Sequence, residues 1–267
     1  MRMHRALLLG LALVIVACSV TSASAGVLFS STTDRLTAPD FTIPQSAGTV
    51  CFNIYPNWAE TDNAVHTFLF IGDTGANNFG LQKFSDNKLR VGWTSASVDN
   101  RMFVPSTSYT LNQNAWNSIC YTWDGTGQTL YVNGSSVSSS GAPTTHDTNG
   151  VGNTLGFVLG NYTTSIDNQN MDGRLAEVAI WNVVLSGANL TDRMNNGRLA
   201  SCFTGLQNYW SLTGISDLSD HADSENLSNA GGVTNAPDHP TTLACAGGGG
   251  GTVPCIFGSK LIVPGCP

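Results

Sequence analysis

Between residues 26 and 200 the apolar and polar positions fall into short runs, each closed by Gly, Asn or Asp. The candidate strands are "TVCFNIY" (49–55), "HTFLFIG" (66–72), "FGLQKF" (79–84), "KLRVGW" (88–93), "SICYTW" (118–123), "TLYVNG" (129–134), "LGFVLG" (155–160) and "GRLAEVAIW" (173–181). Their β-branched and aromatic residues suit a pleated, half-buried surface. Asn133-Gly134 predicts a two-residue hairpin, because both central positions of that turn need positive φ. Asp124-Gly125 reverses the chain just before it. One segment reads as a helix, capped by Ser186, running to about Met194 and ended by Gly197. Eight or more strands with one short helix predict an all-β fold, a two-sheet antiparallel sandwich of the jelly-roll kind.

The two ends depart from this pattern. Arg2 and Arg5 precede an apolar run from Ala6 to Val16, and Ala23-Ser24-Ala25 offers small residues for cleavage. Residues 1–25 therefore read as a secretory signal, whose apolar run is too short to span a bilayer. A lipoprotein signal at Ile15-Val16-Ala17-Cys18 competes with it, but a lipid on Cys18 would have almost no tether before the first strand-like residues. The jelly roll is expected over 26–200, and an extension packing on it over 201–245. A glycine linker and a small disulfide-closed tail are expected over 246–267. No later stretch is long and apolar enough to predict a membrane span.

Charge narrows the choice of partners. Charged residues make up 11% of the chain, against ~25% in an ordinary soluble domain. Removing residues 1–25 takes away Arg2 and Arg5 and no acid, moving the formal charge from −7 to −9. That balance argues against nucleic acid or an anionic membrane. Asn, Ser, Thr and Gly supply the polarity instead, a surface suited to neutral, hydroxyl-rich ligands. Cleavage also leaves six cysteines, Cys51, Cys120, Cys202, Cys245, Cys255 and Cys266. In an exported chain these favour disulfides over zinc, and no pair has Cys-x-x-Cys spacing.

"WNSICYTWDGTGQTLYVNG" (116–134) and "DGRLAEVAIWNVVLSGANL" (172–190) resemble the laminin G-like and pentraxin group of concanavalin A-like jelly rolls. "TVCFNIYP" and "SICYTW" are similar to the strands that the pentraxin disulfide joins, which implies a Cys51–Cys120 bond. The pentraxin signature places His two residues before the cysteine, and Ser118 stands there, so the resemblance is to the wider superfamily. Cys202–Cys245 and Cys255–Cys266 follow by elimination and short loops. A fainter likeness over 205–240 is to the tail of bacterial and phage laminin G-like proteins.

The resemblance also implies calcium at the sandwich rim. Asn77 and Asn78 stand where pentraxins place an Asp-Asn pair. Tyr162, Thr163 and Thr164 replace the second ligand run, and Asp167 and Asn168 lie close behind as substitutes. Calcium wants about six to eight oxygens, and amide-rich coordination predicts weak binding.

Catalytic patterns are sparse. Glycoside hydrolysis needs two carboxyl groups about 5 to 9.5 Å apart. The three glutamates, Glu60, Glu177 and Glu225, do not form the Glu-x-Asp-x-x-Glu strand of glucanases with this fold. Asp62, Asp172 and Glu177 are the remaining acid–base candidates, and Asp172 and Glu177 would point to opposite faces of a regular strand. No Gly-x-Ser-x-Gly elbow is present. Sugar recognition needs an exposed aromatic beside amides. Trp116, Trp123 and Trp181 are expected in the core; Trp58 and Tyr162, the latter beside Asn161, are expected nearer the surface, with lid packing as their competing role. A non-catalytic binding or adhesion module for carbohydrate or a surface protein follows. A polysaccharide-active enzyme of the same fold and a structural component of a surface or phage-related appendage are the alternatives.

Overall fold

The computed structural model describes residues 26–38, 42–72, 77–94, 98–142, 156–162, 169–242, 245, 256–257 and 260–261. In chain order the strands are β1 (Val27–Phe29), β2 (Leu36–Ala38), β3 (Gly48–Pro56), β4 (His66–Gly72), β5 (Asn78–Lys83), β6 (Lys88–Thr94), β7 (Met102–Pro105), β8 (Asn117–Trp123), β9 (Gly127–Val132), β10 (Ser135–Gly141), β11 (Phe157–Leu159) and β12 (Gly173–Trp181). The helix α1 (Gly187–Asn195) follows, then β13 (Leu206–Trp210), β14 (Ser228–Asn229) and β15 (Thr234–Asn235). A last two-residue hairpin joins Ile256–Phe257 to Lys260–Leu261.

Two antiparallel sheets form the sandwich. Sheet I runs β10-β9-β8-β3-β12-β1-β15, with β13 also on β12; sheet II runs β14-β2-β11-β4-β5-β6-β7. Alternation along each strand sends one set of side chains between the sheets. Phe52, Ile54, Phe68, Phe79, Trp93, Tyr121 and Trp123 meet there in one buried core. The expected strands are all present, with ends moved by a residue or two. β10 is "SSVSSSG", a polar edge strand with no apolar face to signal it.

The turns form as their residues dictate. Asn133 and Gly134 take φ of 50° and 81°, the hairpin geometry that joins β9 to β10. Ser186 Oγ accepts from the Asn189 amide at 3.4 Å, and Gly197 sits at φ 63° beyond the helix. Cys51 and Cys120 face each other across β3 and β8, in register, and are bonded; Cys202 is bonded to Cys245. Cys255 and Cys266 lie outside the described residues.

The two outer faces differ. On sheet I, α1 and the residues after it cover the centre, forming a second apolar cluster of Cys51, Cys120, Trp181, Leu190, Met194, Phe203 and Tyr209. Trp123 and Trp181 are core residues as expected. Trp116 is not: it is half-buried, and its indole N–H donates to Asp238 at 3.3 Å.

Candidate functional site

The residues that sheet II turns outward follow from its register. Thr67, Gln82, Arg90 and Phe103 lie in one row across β4, β5, β6 and β7; Val158, Phe70, Gly80 and Gly92 lie in the next, starting from β11. Gln82 donates to Thr67 Oγ1 at 2.9 Å, so the floor of the first row is a fixed amide. The second row has no side chain beyond Phe70. A Cβ at Gly80 would stand 3.5 Å from the Phe70 ring, and Gly92 holds a φ of 118°, which side chains rarely adopt. Tyr162 closes over this row, its ring 4.4 Å from Phe70. Burial raises the Tyr162 hydroxyl pKa, with the nearby Arg101 charge opposing, so it remains a neutral phenol.

Phe103 is the exposed element of this face. β7 alternates Met102 in, Phe103 out and Val104 in, leaving the Phe103 ring 46% exposed. The Arg90 and Arg101 guanidiniums stand 5.3 and 5.6 Å from its centre. Both arginines are held by carboxylates: Arg101 grips Asp99 through two bonds of 2.9 and 2.6 Å, and Arg90 reaches Asp86 at 3.2 Å. The Arg101 hydrogen bonds pull the Asp99 pKa down, and the Asp99 bond raises that of Arg101. The charges therefore cancel locally. What remains is an apolar ring face framed by N–H donors, the chemistry that packs against the C–H face of a sugar and bonds its hydroxyls.

The positions singled out from sequence divide. Asn78 and Tyr162 lie on or beside this face, as Gly72 pairs with Asn78 next to Phe70. Asn161 is fully buried, donating to Thr32 O at 2.8 Å and accepting from the Tyr162 amide at 2.8 Å, so it positions Tyr162. Trp58 is 5% exposed, not a surface platform. Its ring stacks on His66 at 4.1 Å and its N–H donates to Met171 O at 2.7 Å. The cause is the charged knot beneath it. The fully buried Lys83 ammonium bonds Asp62, and His66 Nε2 meets the same carboxylate at 2.7 Å. Burial alone would raise the Asp62 pKa, but the bonds from Lys83 and His66 bring it below the usual range.

Of the expected calcium set, Asn77 and Asn78 are described and Asp167 and Asn168 lie outside the described residues. Among the described residues no three His, Cys, Asp or Glu side chains converge. Asn77 and Asn78 alone would offer calcium two side-chain oxygens of the about six to eight it takes, the rest of the expected set lying outside the described residues.

The catalytic candidates are engaged elsewhere. Glu177 sits on a bulge of β12 at φ 59° and is 1% exposed. Tyr209 donates to it at 2.9 Å, and Arg193 and His239 stand 3.5 Å away. Asp172 accepts from Asn57 at 3.3 Å. Ser211, His221 and Asp217 cluster as well, but not as a hydrolytic triad. His221 turns the same nitrogen, Nε2, toward Ser211 at 3.3 Å and Asp217 at 3.1 Å, so no second nitrogen relays between them.

Phe103 and Arg101 escaped the sequence reading because "RMFVP" is too short to register as a strand, and Arg90, on the expected strand "KLRVGW", was not singled out because its partner Phe103 was not placed beside it. The signal was an aromatic at the outward position between two inward ones.

Two antiparallel sheets, one capped α-helix among the described residues and a strand-to-strand disulfide fit the lectin-like jelly-roll class. Residues 30–191 match the Laminin_G_3 family, and the chain belongs to the concanavalin A-like lectin/glucanases superfamily. A candidate carbohydrate-binding protein from Bacteroides ovatus superposes with a TM-score of 0.59 at 16% identity, over 79% of this chain and 60% of that one. The chain thus spans three-fifths of that protein's length. Domain 4 of a GH43 extracellular arabinanase from Geobacillus stearothermophilus, in complex with arabinotriose, gives a TM-score of 0.44 at 19% identity, over 58% of this chain and 70% of the domain. A SAP-like pentraxin from Limulus polyphemus gives 0.40 at 16% identity, over 78% and 98%. At these identities the likeness is one of fold. A search of curated proteins finds no match.

Proposed function

We propose that the chain is a secreted, non-catalytic module that binds carbohydrate on the outer face of sheet II. The observation that carries the reading is Phe103, an exposed aromatic ring held between two guanidiniums whose charges are already matched. A sugar ring would lie on Phe103, with Arg90, Arg101 and the Tyr162 hydroxyl bonding its oxygens. Charge matching favours neutral or weakly acidic glycans over strongly anionic ones. Superfamily membership and the carbohydrate-binding description of the Bacteroides ovatus relative support the same ligand class.

Two bonded cysteine pairs suit an oxidising compartment, which supports export. Among the described residues no helix is long and apolar enough to cross a membrane. The non-catalytic reading rests on Asp62 and Glu177 being held in internal ion pairs, unavailable as an acid and base across one bond.

A glycan array probed with the full-length mature chain, in calcium and in chelator, tests the reading. Binding to a defined set of neutral or weakly acidic glycans is expected. Release of reducing ends from those glycans would instead make the chain an enzyme.

A further inference from the structure

The outer face of sheet I contains a polar niche that the sugar-binding reading does not use. Moving along β3 and β8, the outward pairs change character every second residue. Cys51 opposite Cys120 lies under α1 in the apolar cluster. Two residues on, Asn53 stands opposite Ser118. Beyond them Tyr55 and Trp116 meet edge to face at 5.7 Å. α1 and the extension fill the space above the first pair but not above the second. The result is a cavity of about 350 Å³ with Asn53 and Ser118 in its lining, walled by Trp116, Asn133, the Asn195–Gly197 end of the helix, and Thr241.

The chemistry of this lining is uncharged and prearranged. Asn133 is fixed by bonds to Thr110 O and the Asn117 amide, both at 3.1 Å, and by accepting from the Ser118 amide at 2.9 Å. Asn195 leans over the hairpin, where a Cβ at Gly134 would strike its amide oxygen at 2.0 Å, so only glycine leaves it room. Asn196 uses its amide nitrogen on Asp192 at 2.7 Å and keeps its oxygen. The Arg193 guanidinium, also in the lining, is committed to Glu177 O at 2.8 Å and Arg198 O at 3.2 Å.

We propose that this niche is a second ligand site, taking a neutral, hydroxyl-rich molecule of one or two sugar rings. Asn53 and Asn195 offer side-chain amides that bond nothing among the described residues, and Trp116 offers an aromatic edge. The volume lies at the small end of the ~300–1,000 Å³ range of ligand sites, which suits a chain end or a free sugar better than the middle of a polymer. Lacking a free charge, the niche discriminates against uronic and sialic acids. The site is independent of Phe103, which belongs to the opposite sheet, so the two can be separated by mutation.

Side-chain amide and indole NMR of the mature chain, titrated with D-glucose, L-arabinose and N-acetyl-D-glucosamine, tests it. Saturable shifts of the Asn53 and Asn195 amides and the Trp116 indole are expected with at least one sugar. Ser118→Trp, which fills the niche, should remove those shifts and leave any Phe103-dependent glycan binding intact. Phe103→Ala should do the reverse. Should Ser118→Trp fail to fold, Asn53→Leu is expected to weaken the shifts at least tenfold in sugar concentration. Signals unmoved by all three sugars, or moved equally in the variants, would overturn the second site whatever becomes of the first.

Discussion

The two outer faces of this sandwich bury polar groups for opposite ends. On sheet I, Glu177, Arg193, Tyr209 and His239 are sealed beneath α1 and the extension, and the bonds between them hold those segments to the sheet. On sheet II, Arg90 and Arg101 keep their ion pairs at the rim and frame a ring left exposed. The same residue types stabilise the fold where water is excluded and, in the function proposed above, would serve contact where it is not. Mutations on the first face should therefore change stability, and those on the second should change binding.

The largest effect is expected at Glu177. Glu177→Ala leaves Arg193 buried without its carboxylate, a loss of about 3–5 kcal/mol, read as a lowered urea midpoint. A change too small to measure would mean that Arg193 finds water and that the extension is held by apolar contacts alone. The Cys51–Cys120 bond comes next. Replacing both residues by Ala should cost about 2–4 kcal/mol, because the bond closes a long loop and is buried in the cluster under α1.

A smaller effect concerns pH. The bond to Asp217 raises the His221 pKa, and Asp217 is held low because bonds from His221, Ser211 and Thr213 outweigh its burial. His221 thus contributes stability that is complete below the ordinary imidazole value near ~6.5 and lost as pH rises through its raised folded value. Asp217 contributes above the ordinary carboxylate value near ~3.9, a contribution lost only as pH falls through its depressed folded value. Both act together in the mildly acidic window. The melting temperature should fall between mildly acidic and mildly alkaline pH, and His221→Asn should flatten that fall. An equal slope in the variant would assign it to other groups.

The sandwich was legible in the sequence because each long strand carries its own apolar pattern and its own turn residues. The Asn133-Gly134 hairpin and the Ser186 cap are local signals and formed where expected, and the Cys51–Cys120 and Cys202–Cys245 pairs, expected from the resemblance and by elimination, are bonded. The short strands around Phe103 and the polar β10 were not legible, since their pairing is decided by neighbours rather than by their own residues. Trp58 illustrates the same limit. A tryptophan among Asn, Glu and Asp reads as surface, but Lys83, 21 residues beyond Asp62, pairs with it together with the nearby His66, and the Trp58 ring stacks on that His66. Glu177 is buried in contact with Tyr209, Arg193 and His239. Its positive φ, which breaks the strand's alternation, could not be read from spacing.

The central claim is that Phe103 on sheet II carries the glycan contact. Isothermal titration of the glycan selected by the array, wild type against Phe103→Ala, tests it most directly. Affinity is expected to fall at least about tenfold, ~1.4 kcal/mol, while the melting temperature shifts by no more than a typical surface substitution, about 0.5 kcal/mol. Equal affinity in the two proteins would contradict the account and move the contact off sheet II.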